Sequence, residues 1–285
     1  MLNPVQKYKA DMLKIHVCQS VEAMAEAAAA EAQKFLRAAI AIKGRAAAIL
    51  ATGNSQLVFL EKLIALTGID WERVTLFHMD EYLGIPADHP ASFRKYMKEK
   101  VADKINPRAF HYLRGDALEP ISECLRYEAL ITTTGIDLVC MGIGENGHIA
   151  FNDPPVANFN DEEGVKIVKL DDACRKQQVG EGHFPTLDAV PQYALTLTIP
   201  ALVNADRILC IVPEKRKAQA VKAALHGPIV KDCPASILRR EKQATLFLDQ
   251  DSSSFVDFSL LSPVIDPVRT SGIVAQPTEP PKPNR

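Results

Sequence analysis

Apolar residues recur along positions 20–43 at the spacing of one helix face: Val21, Met24, Ala28, Phe35, Leu36 and Ile40. Ser20 offers an N-cap and Gly44 a stop. A second kind of segment is a short apolar run without polar alternation, at 46–51, 73–79, 136–141, 207–212 and, as the last strand, 244–248. A strand with one wet face alternates polar and apolar residues, so these unbroken runs read as strands covered on both faces. Helical patterns fall between them at 56–66, 91–105, 117–134 and 215–225. Residues 80–90 read as a polar loop, and a long loop follows 136–141. Strands alternating with helices predict an α/β fold: three layers, a mostly parallel sheet with helices on both faces, Rossmann-like. The pattern fits a single domain over 1–250 and a C-terminal extension over 251–285. That extension holds six of the 19 prolines and ends in a proline-rich tail, although Phe255, Phe258, Leu260 and Leu261 can dock on the domain.

Composition narrows the function. Hydrophobic residues make up 47% of the 285, and the formal net charge is −2, so no bulk electrostatic pull toward nucleic acid or anionic membrane is expected. No run approaches the ~18 uninterrupted apolar residues of a membrane span, and the start of the chain carries no secretory pattern. The six cysteines, at 18, 124, 140, 174, 210 and 233, form no C-x-x-C pair and read as buried, reduced thiols of a cytoplasmic protein.

In open α/β sheets, ligands sit beyond the carboxyl ends of the strands. After the 46–51 run comes Thr52-Gly53-Asn54-Ser55, opening a helix, where amides and hydroxyls suit a phosphate or form an ordinary turn. No G-K-[ST] follows, so it is not a P-loop. After 73–79 comes His78-Met79-Asp80-Glu81-Tyr82. Neighbouring side chains of an extended segment point opposite ways, which would let one carboxylate face a cleft and the other the scaffold; a solvated loop is the plainer reading. A metal held by His78, Asp80 and Glu81 is the alternative, but zinc would want further His or Cys at short spacing.

After 136–141 the chain reads Gly142-Ile-Gly144-Glu-Asn146-Gly147-His148-Ile-Ala-Phe-Asn152-Asp153-Pro-Pro155. G-x-G-x-x-G is present, but a dinucleotide site needs a helix opening at the motif, and Pro154-Pro155 leaves little room for one. The glycines read as a loop wrapping a ligand, with Asn146 and Asp153 placed to orient His148. Near the C-terminus, Lys215-Arg216-Lys217 opens a helix after a strand. Three cations there oppose the macrodipole, which suits either a solvated turn or an anion held by the helix start and a lysine.

The segments Phe77-His-Met-Asp80-Glu81-Tyr82-Leu-Gly-Ile-Pro86, His89-Pro90-x-Ser92-Phe93, Gly142 to Pro154, and Val190-Pro-x-Tyr193-Ala-Leu-Thr196 resemble, in order and spacing, the motifs of glucosamine-6-phosphate deaminases. Those enzymes share their fold with the 6-phosphogluconolactonases. The resemblance covers about 20–250. It implies conversion of glucosamine 6-phosphate and water to fructose 6-phosphate and ammonia, with neither metal nor organic cofactor. It implies that Asp80 moves the C2 proton to C1 and that His148 assists ring opening, held by Asn146 and Asp153. Thr52, Gly53, Ser55 and Lys217 match the family's phosphate-binding positions, and Arg175 is the nearest candidate for its phosphate arginine. The implied partner is an amino-sugar phosphate, with no nucleic acid and no membrane; a homo-oligomer stays open.

Two departures stand out. Asp153 replaces the family's usual Glu, one methylene longer, and Val156-Ala157 replaces hydroxyls that serve an allosteric phosphate site in regulated members. The alternatives are a lactonase-like hydrolase and a non-catalytic phosphosugar sensor.

Overall fold

The computed structural model describes residues 5–264. In chain order the strands are β1 (Gln6–Ala10), β2 (Leu13–Val17), β3 (Ala46–Leu50), β4 (Val74–His78), β5 (Asp80–Tyr82), β6 (Ala109–His111), β7 (Leu138–Met141), β8 (Val165–Lys169), β9 (Tyr193–Leu197), β10 (Arg207–Val212), β11 (Ala244–Leu248) and β12 (Ser262–Pro263). The α-helices are α1 (Val21–Lys43), α2 (Leu57–Ala65), α3 (Phe93–Lys100), α4 (Pro120–Thr134), α5 (Asp172–Gly180), α6 (Ile199–Val203) and α7 (Ala218–His226).

Nine strands form the main sheet in the order β12-β1-β2-β11-β10-β7-β3-β4-β6. From β2 to β6 every pairing is parallel, while β1 and β12 close one edge antiparallel. Burial on both faces explains the unbroken apolar runs. In β3, Ala47 and Ile49 enter one core and Ala46, Ala48 and Leu50 the other. Strand β10 divides likewise, with Ile208, Cys210 and Val212 on one side and Leu209 and Ile211 on the opposite one. Helices α1 and α2 cover one face, where Ala25, Ala28, Ala29 and Ala32 of α1 are fully buried. Four small side chains on one stripe bring that helix close to the sheet. The α1 ends are as predicted: Ser20 Oγ accepts the Ala23 amide, and Gly44 sits at φ 72°.

Three stretches depart from the sequence reading. Residues 6–17, which carried no predicted element, form the β1–β2 hairpin. Its signal was two-residue alternation, with Leu13, Ile15 and Val17 buried and Lys14 exposed. Asp80–Tyr82 is no polar loop: it is a buried strand in a second sheet, β5-β9-β8, paired antiparallel with β9. The long connection after β7 contains β8, α5, β9 and α6. Residues 252–264 are docked: Leu261 joins the core, β12 pairs with β1, and the Val264 amide donates to the Lys7 carbonyl. Phe258 packs on that core, whereas Phe255 and Leu260 are exposed. The proline-rich end of the tail lies outside the described residues.

All six cysteines are free, five of them buried. No helix among the described residues is long and apolar enough to cross a membrane.

Candidate active site

Strands β3 and β7 are neighbours, yet the chain leaves them in opposite directions, toward β4 on one side and β10 on the other. A crevice opens beyond the carboxyl ends of strands at such a reversal. Thr52, Gly53 and Ser55 follow β3, the Gly142–Asp153 loop follows β7, Asp80 follows β4, and Lys217 follows β10. A narrow cleft of about 90 Å³ is lined by Thr52, Gly53, Ser55, Asp80, His148 and Lys217 together.

The loop after β3 turns at Gly53, whose φ of 98° a side chain would strain. Tyr96 Oη donates to the Gly53 carbonyl at 2.9 Å, and Gln56 Nε2 donates to the Ile211 carbonyl at 3.0 Å. The loop is therefore braced from α3 and from β10. Its residues run into a 3-10 turn, Asn54–Gln56, ahead of α2.

Asp80 and Glu81 part as extended neighbours should. Glu81 turns into the scaffold, where it accepts the Ser92 hydroxyl at 2.8 Å and the amides of Tyr82, Phe93 and Arg94. Asp80 turns into the cleft, 6% exposed, and its Oδ1 is buried without a hydrogen-bond partner. Burial, and then the charge of Glu81, push the Asp80 carboxyl well above the ordinary carboxylate range. The metal alternative at this segment loses its donors: His78 Nε2 accepts the Leu113 amide, and Glu81 is spent on the scaffold. Burial holds His78 at about 3, so its ring is neutral.

The loop after β7 carries no helix; Pro154 and Pro155 lie in turns ahead of β8. It is bolted to β9. Asn152 Nδ2 donates to the carbonyls of Ile149 and Leu197, and the Phe151 amide donates to Thr196 Oγ1. Thr196 in turn faces Asp80 across the β5–β9 pair. The loop and the carboxylate thus share one strand as their support. Gly144 is required by contact: a Cβ there would lie 2.1–2.4 Å from the His148 ring.

Behind the ring, His148 Nδ1 lies 3.0 Å from Asp153 Oδ1, off the axis of a well-aligned hydrogen bond. Asn146 ties the two: its Nδ2 donates to Asp153 Oδ1 at 3.0 Å, and its Oδ1 accepts the His148 amide at 3.1 Å. Burial pushes the Asp153 carboxyl up, but His148, Asn146 and the Asp171 amide outweigh it and hold the group below its ordinary value. Aspartate therefore reaches the ring despite its shorter side chain. Asn146 and Asp153 stand behind His148 and do not line the cleft.

Lys217 is 2% exposed, and no carboxylate lies within ion-pair distance of it among the described residues. Burial, and then Arg216, lower its pKa. Arg175 is not brought to this place. Its guanidinium donates to the carbonyls of Leu187 and Val190 and lies 3.6 Å from Asp172, so it staples α5 to the following turn. The guanidinium bordering the cleft is that of Arg216, which does not line it but whose Nη2 reaches the lining residue Ser55 at Oγ, 3.4 Å away. Gln177, Gln178 and Glu181, from α5 and its end, also line the cleft. They stood inside the stretch read as loop, where no strand end pointed to them.

One trio among the described residues could hold a cation: His148, Asp153 and Cys174, with ligand atoms within 4.8 Å of one another. Its fit is poor. Asp153 is already occupied by Asn146 and the Asp171 amide, and burial pushes the Cys174 thiol well up, away from the thiolate a metal needs.

A buried, unpaired carboxyl, an imidazole backed by a carboxylate, and an ammonium without an ion-pair partner among the described residues are together chemically suited to proton transfer on a small anionic molecule. Residues 19–247 match the family of glucosamine-6-phosphate isomerases and 6-phosphogluconolactonases, and the chain belongs to it. It is 35% identical over 207 residues to glucosamine-6-phosphate deaminase of Exiguobacterium sibiricum, covering 73% of this chain and 80% of that one. It is 32% identical over 248 residues to glucosamine-6-phosphate deaminase 1 of Bacillus subtilis, covering 85% and 99%. Among solved structures, a monomeric glucosamine-6-phosphate deaminase superposes with a TM-score of 0.78 at 31% identity, covering 85% of this chain and 99% of that one. A 6-phosphogluconolactonase from Shewanella baltica superposes with a TM-score of 0.68 at 18% identity over 86% of this chain and 100% of that one, a likeness of fold.

Proposed function

We propose that this chain is a cytoplasmic glucosamine-6-phosphate deaminase that converts glucosamine 6-phosphate and water to fructose 6-phosphate and ammonia. The observation that carries the reading is the convergence of Asp80, His148, Lys217 and the Thr52–Ser55 loop on one cleft. The phosphate sits against Thr52, Gly53, Ser55 and Lys217 and fixes the sugar's position, so remote binding energy orients the reacting carbons. His148, held by Asn146 and Asp153, exchanges a proton with the ring oxygen as the ring opens to the aldehyde. Asp80 then accepts the proton from C2 and returns it to C1. The electron pair of the C2–H bond moves toward the C1 carbonyl, whose oxygen takes up a proton given up by the amino group, and C2 ends as an imine. Water adds at C2, ammonia leaves, and the ketone remains. The raised pKa of Asp80 supports this role, because a base poised closer to neutrality both takes and gives back a proton.

Lactone hydrolysis has no use for a group that shuttles a carbon-bound proton, so the free Asp80 carboxyl favours the deaminase. The test offers glucosamine 6-phosphate and 6-phosphogluconolactone separately, following ammonia, fructose 6-phosphate and 6-phosphogluconate. Ammonia and fructose 6-phosphate in equal amounts are expected. Turnover of the lactone alone would make the chain a lactonase, and binding of glucosamine 6-phosphate without turnover would make it a sensor.

A further inference from the structure

The anion end of the cleft carries a buried carboxylate. Glu181 lines it with a side chain 7% exposed, and Glu181 Oε2 lies 4.0 Å from where a Cβ on Gly53 would stand. Its Oε1 accepts Arg216 Nη1 at 2.7 Å and Gln177 Nε2 at 2.8 Å, and its Oε2 lies 3.3 Å from His183 Nε2. Burial would raise this carboxyl, but His183, Arg216 and the nearby charge of Lys217 outweigh it and hold it at about 2, so it is ionised.

Arg216 and Lys217 are chain neighbours in opposite states. Lys217 is unpaired among the described residues. Arg216 is held by three carboxylates: Glu181, Glu145 at 3.0 Å, and Glu214 at 2.5 Å on Nε. Glu145 and Glu214 are 43% and 41% exposed, so water screens them, whereas Glu181 is not screened. The turn bearing both cations starts at Glu214, a non-glycine residue at φ 78°, which the Asp249 carboxylate holds through the Glu214 amide. The same guanidinium reaches Ser55, in the loop after β3 that lines the cleft.

We infer that Glu181 and Arg216 form a latch over the anion subsite, and that a bound phosphate takes the Arg216 guanidinium away from Glu181. A phosphate against Thr52–Ser55 brings negative charge beside Glu181 and within reach of Arg216 Nη2. The guanidinium is planar with five donors, so it turns from one oxyanion to the next without leaving the site. Glu181 thereby sets how tightly the phosphate is held: it withholds one of two cations until a ligand competes for it.

The inference rests on the phosphosugar reading only in taking the ligand to be a phosphate. The probe is therefore inorganic phosphate, titrated by calorimetry into the full chain, with KM for glucosamine 6-phosphate measured alongside. Glu181→Gln should tighten phosphate binding about tenfold, as loss of a close buried competitor predicts. Arg216→Ala should weaken it. In the double variant the gain from Glu181→Gln should vanish, because the released guanidinium is gone.

A gain that persists with Arg216→Ala would mean that Glu181 repels phosphate directly, and the latch would be wrong. Unchanged or weakened binding in Glu181→Gln, with native circular dichroism and melting, would also overturn it. Should Glu181→Gln fail to fold, Glu181→Asp is the second variant. Drawn back by one methylene, it should loosen the latch and tighten phosphate binding, and unchanged affinity would count against the inference. Tighter phosphate binding without any deaminase turnover would uphold the latch and sink the proposed reaction. Deaminase turnover with unaltered phosphate affinity would do the reverse.

Discussion

At the amino ends of the main sheet the buried Asp137 is fully partnered, whereas at the carboxyl ends two buried charged side chains, Asp80 and Lys217, are not. At the amino ends, a groove of about 900 Å³ runs past Lys43, Asp137 and Asp206. Asp137 there accepts the Ala47 amide at 2.7 Å and Lys43 Nζ at 2.6 Å, and Lys43 also reaches Asp206. The buried carboxylate there, Asp137, has both of its oxygens engaged. At the carboxyl ends the cleft is a tenth of that volume, about 90 Å³, yet Asp80 Oδ1 and Lys217 have no partner among the described residues. Size therefore does not mark the end that keeps its buried charges unpaired. A buried charge without a partner costs stability, and it persists only where something else makes use of it.

The sharpest way to break this contrast is Asp80→Asn. The amide is nearly isosteric and a far weaker base, so turnover should fall ~10²–10⁴-fold. Glu81 cannot substitute, because the scaffold occupies its oxygens. Calorimetry should find substrate binding retained. Undiminished turnover would remove Asp80 from the reaction.

Lys217→Ala comes next. Loss of a desolvated cation should raise KM about tenfold or more and lower kcat far less, since a phosphate contact acts mainly as uniform binding. A fall in kcat alone would place Lys217 at the reacting carbons instead.

The third pair of measurements sets the two ends against each other in stability. Asp137→Ala strands the buried Ala47 amide and should cost about 1–3 kcal/mol in denaturant unfolding, with turnover per folded molecule kept. Asp80→Asn should act oppositely. The folded pKa of Asp80 lies above its unfolded value, so between the two the native state binds more protons and wild-type stability falls as pH rises. The variant escapes that penalty. It should melt a few °C higher than wild type near neutral pH, with the gain vanishing below the unfolded pKa, where both side chains are neutral. A lower melting temperature for Asp80→Asn at neutral pH would contradict the assigned cost.

The smallest effect concerns the chain end. Truncation after Val264 keeps the β1–β12 pairing and the docked Leu261, and should leave turnover and melting unchanged. Cutting before Ser262 removes that strand and should lower the melting temperature; equal behaviour of the two truncations would show the edge strand to be dispensable.

Much was already legible in one dimension. Unbroken apolar runs such as 207–212 imply a sheet covered on both faces, because only two-sided burial removes the polar alternation. The strand ends then point to the loops that hold Thr52, Asp80, His148 and Lys217, since local geometry alone turns Asp80 and Glu81 to opposite sides. Tertiary structure decided what depends on residues distant in the chain. It placed Asp80–Tyr82 as a buried strand rather than a loop, because the partner that satisfies its backbone, Tyr193–Leu197, lies more than a hundred residues away. It sent Arg175 to the carbonyls of Leu187 and Val190, and brought Arg216, Ser55 and Glu181 together from three separate loops. A guanidinium's chemistry is the same at every arginine, and which anion it meets is set by packing between elements that no local pattern encodes.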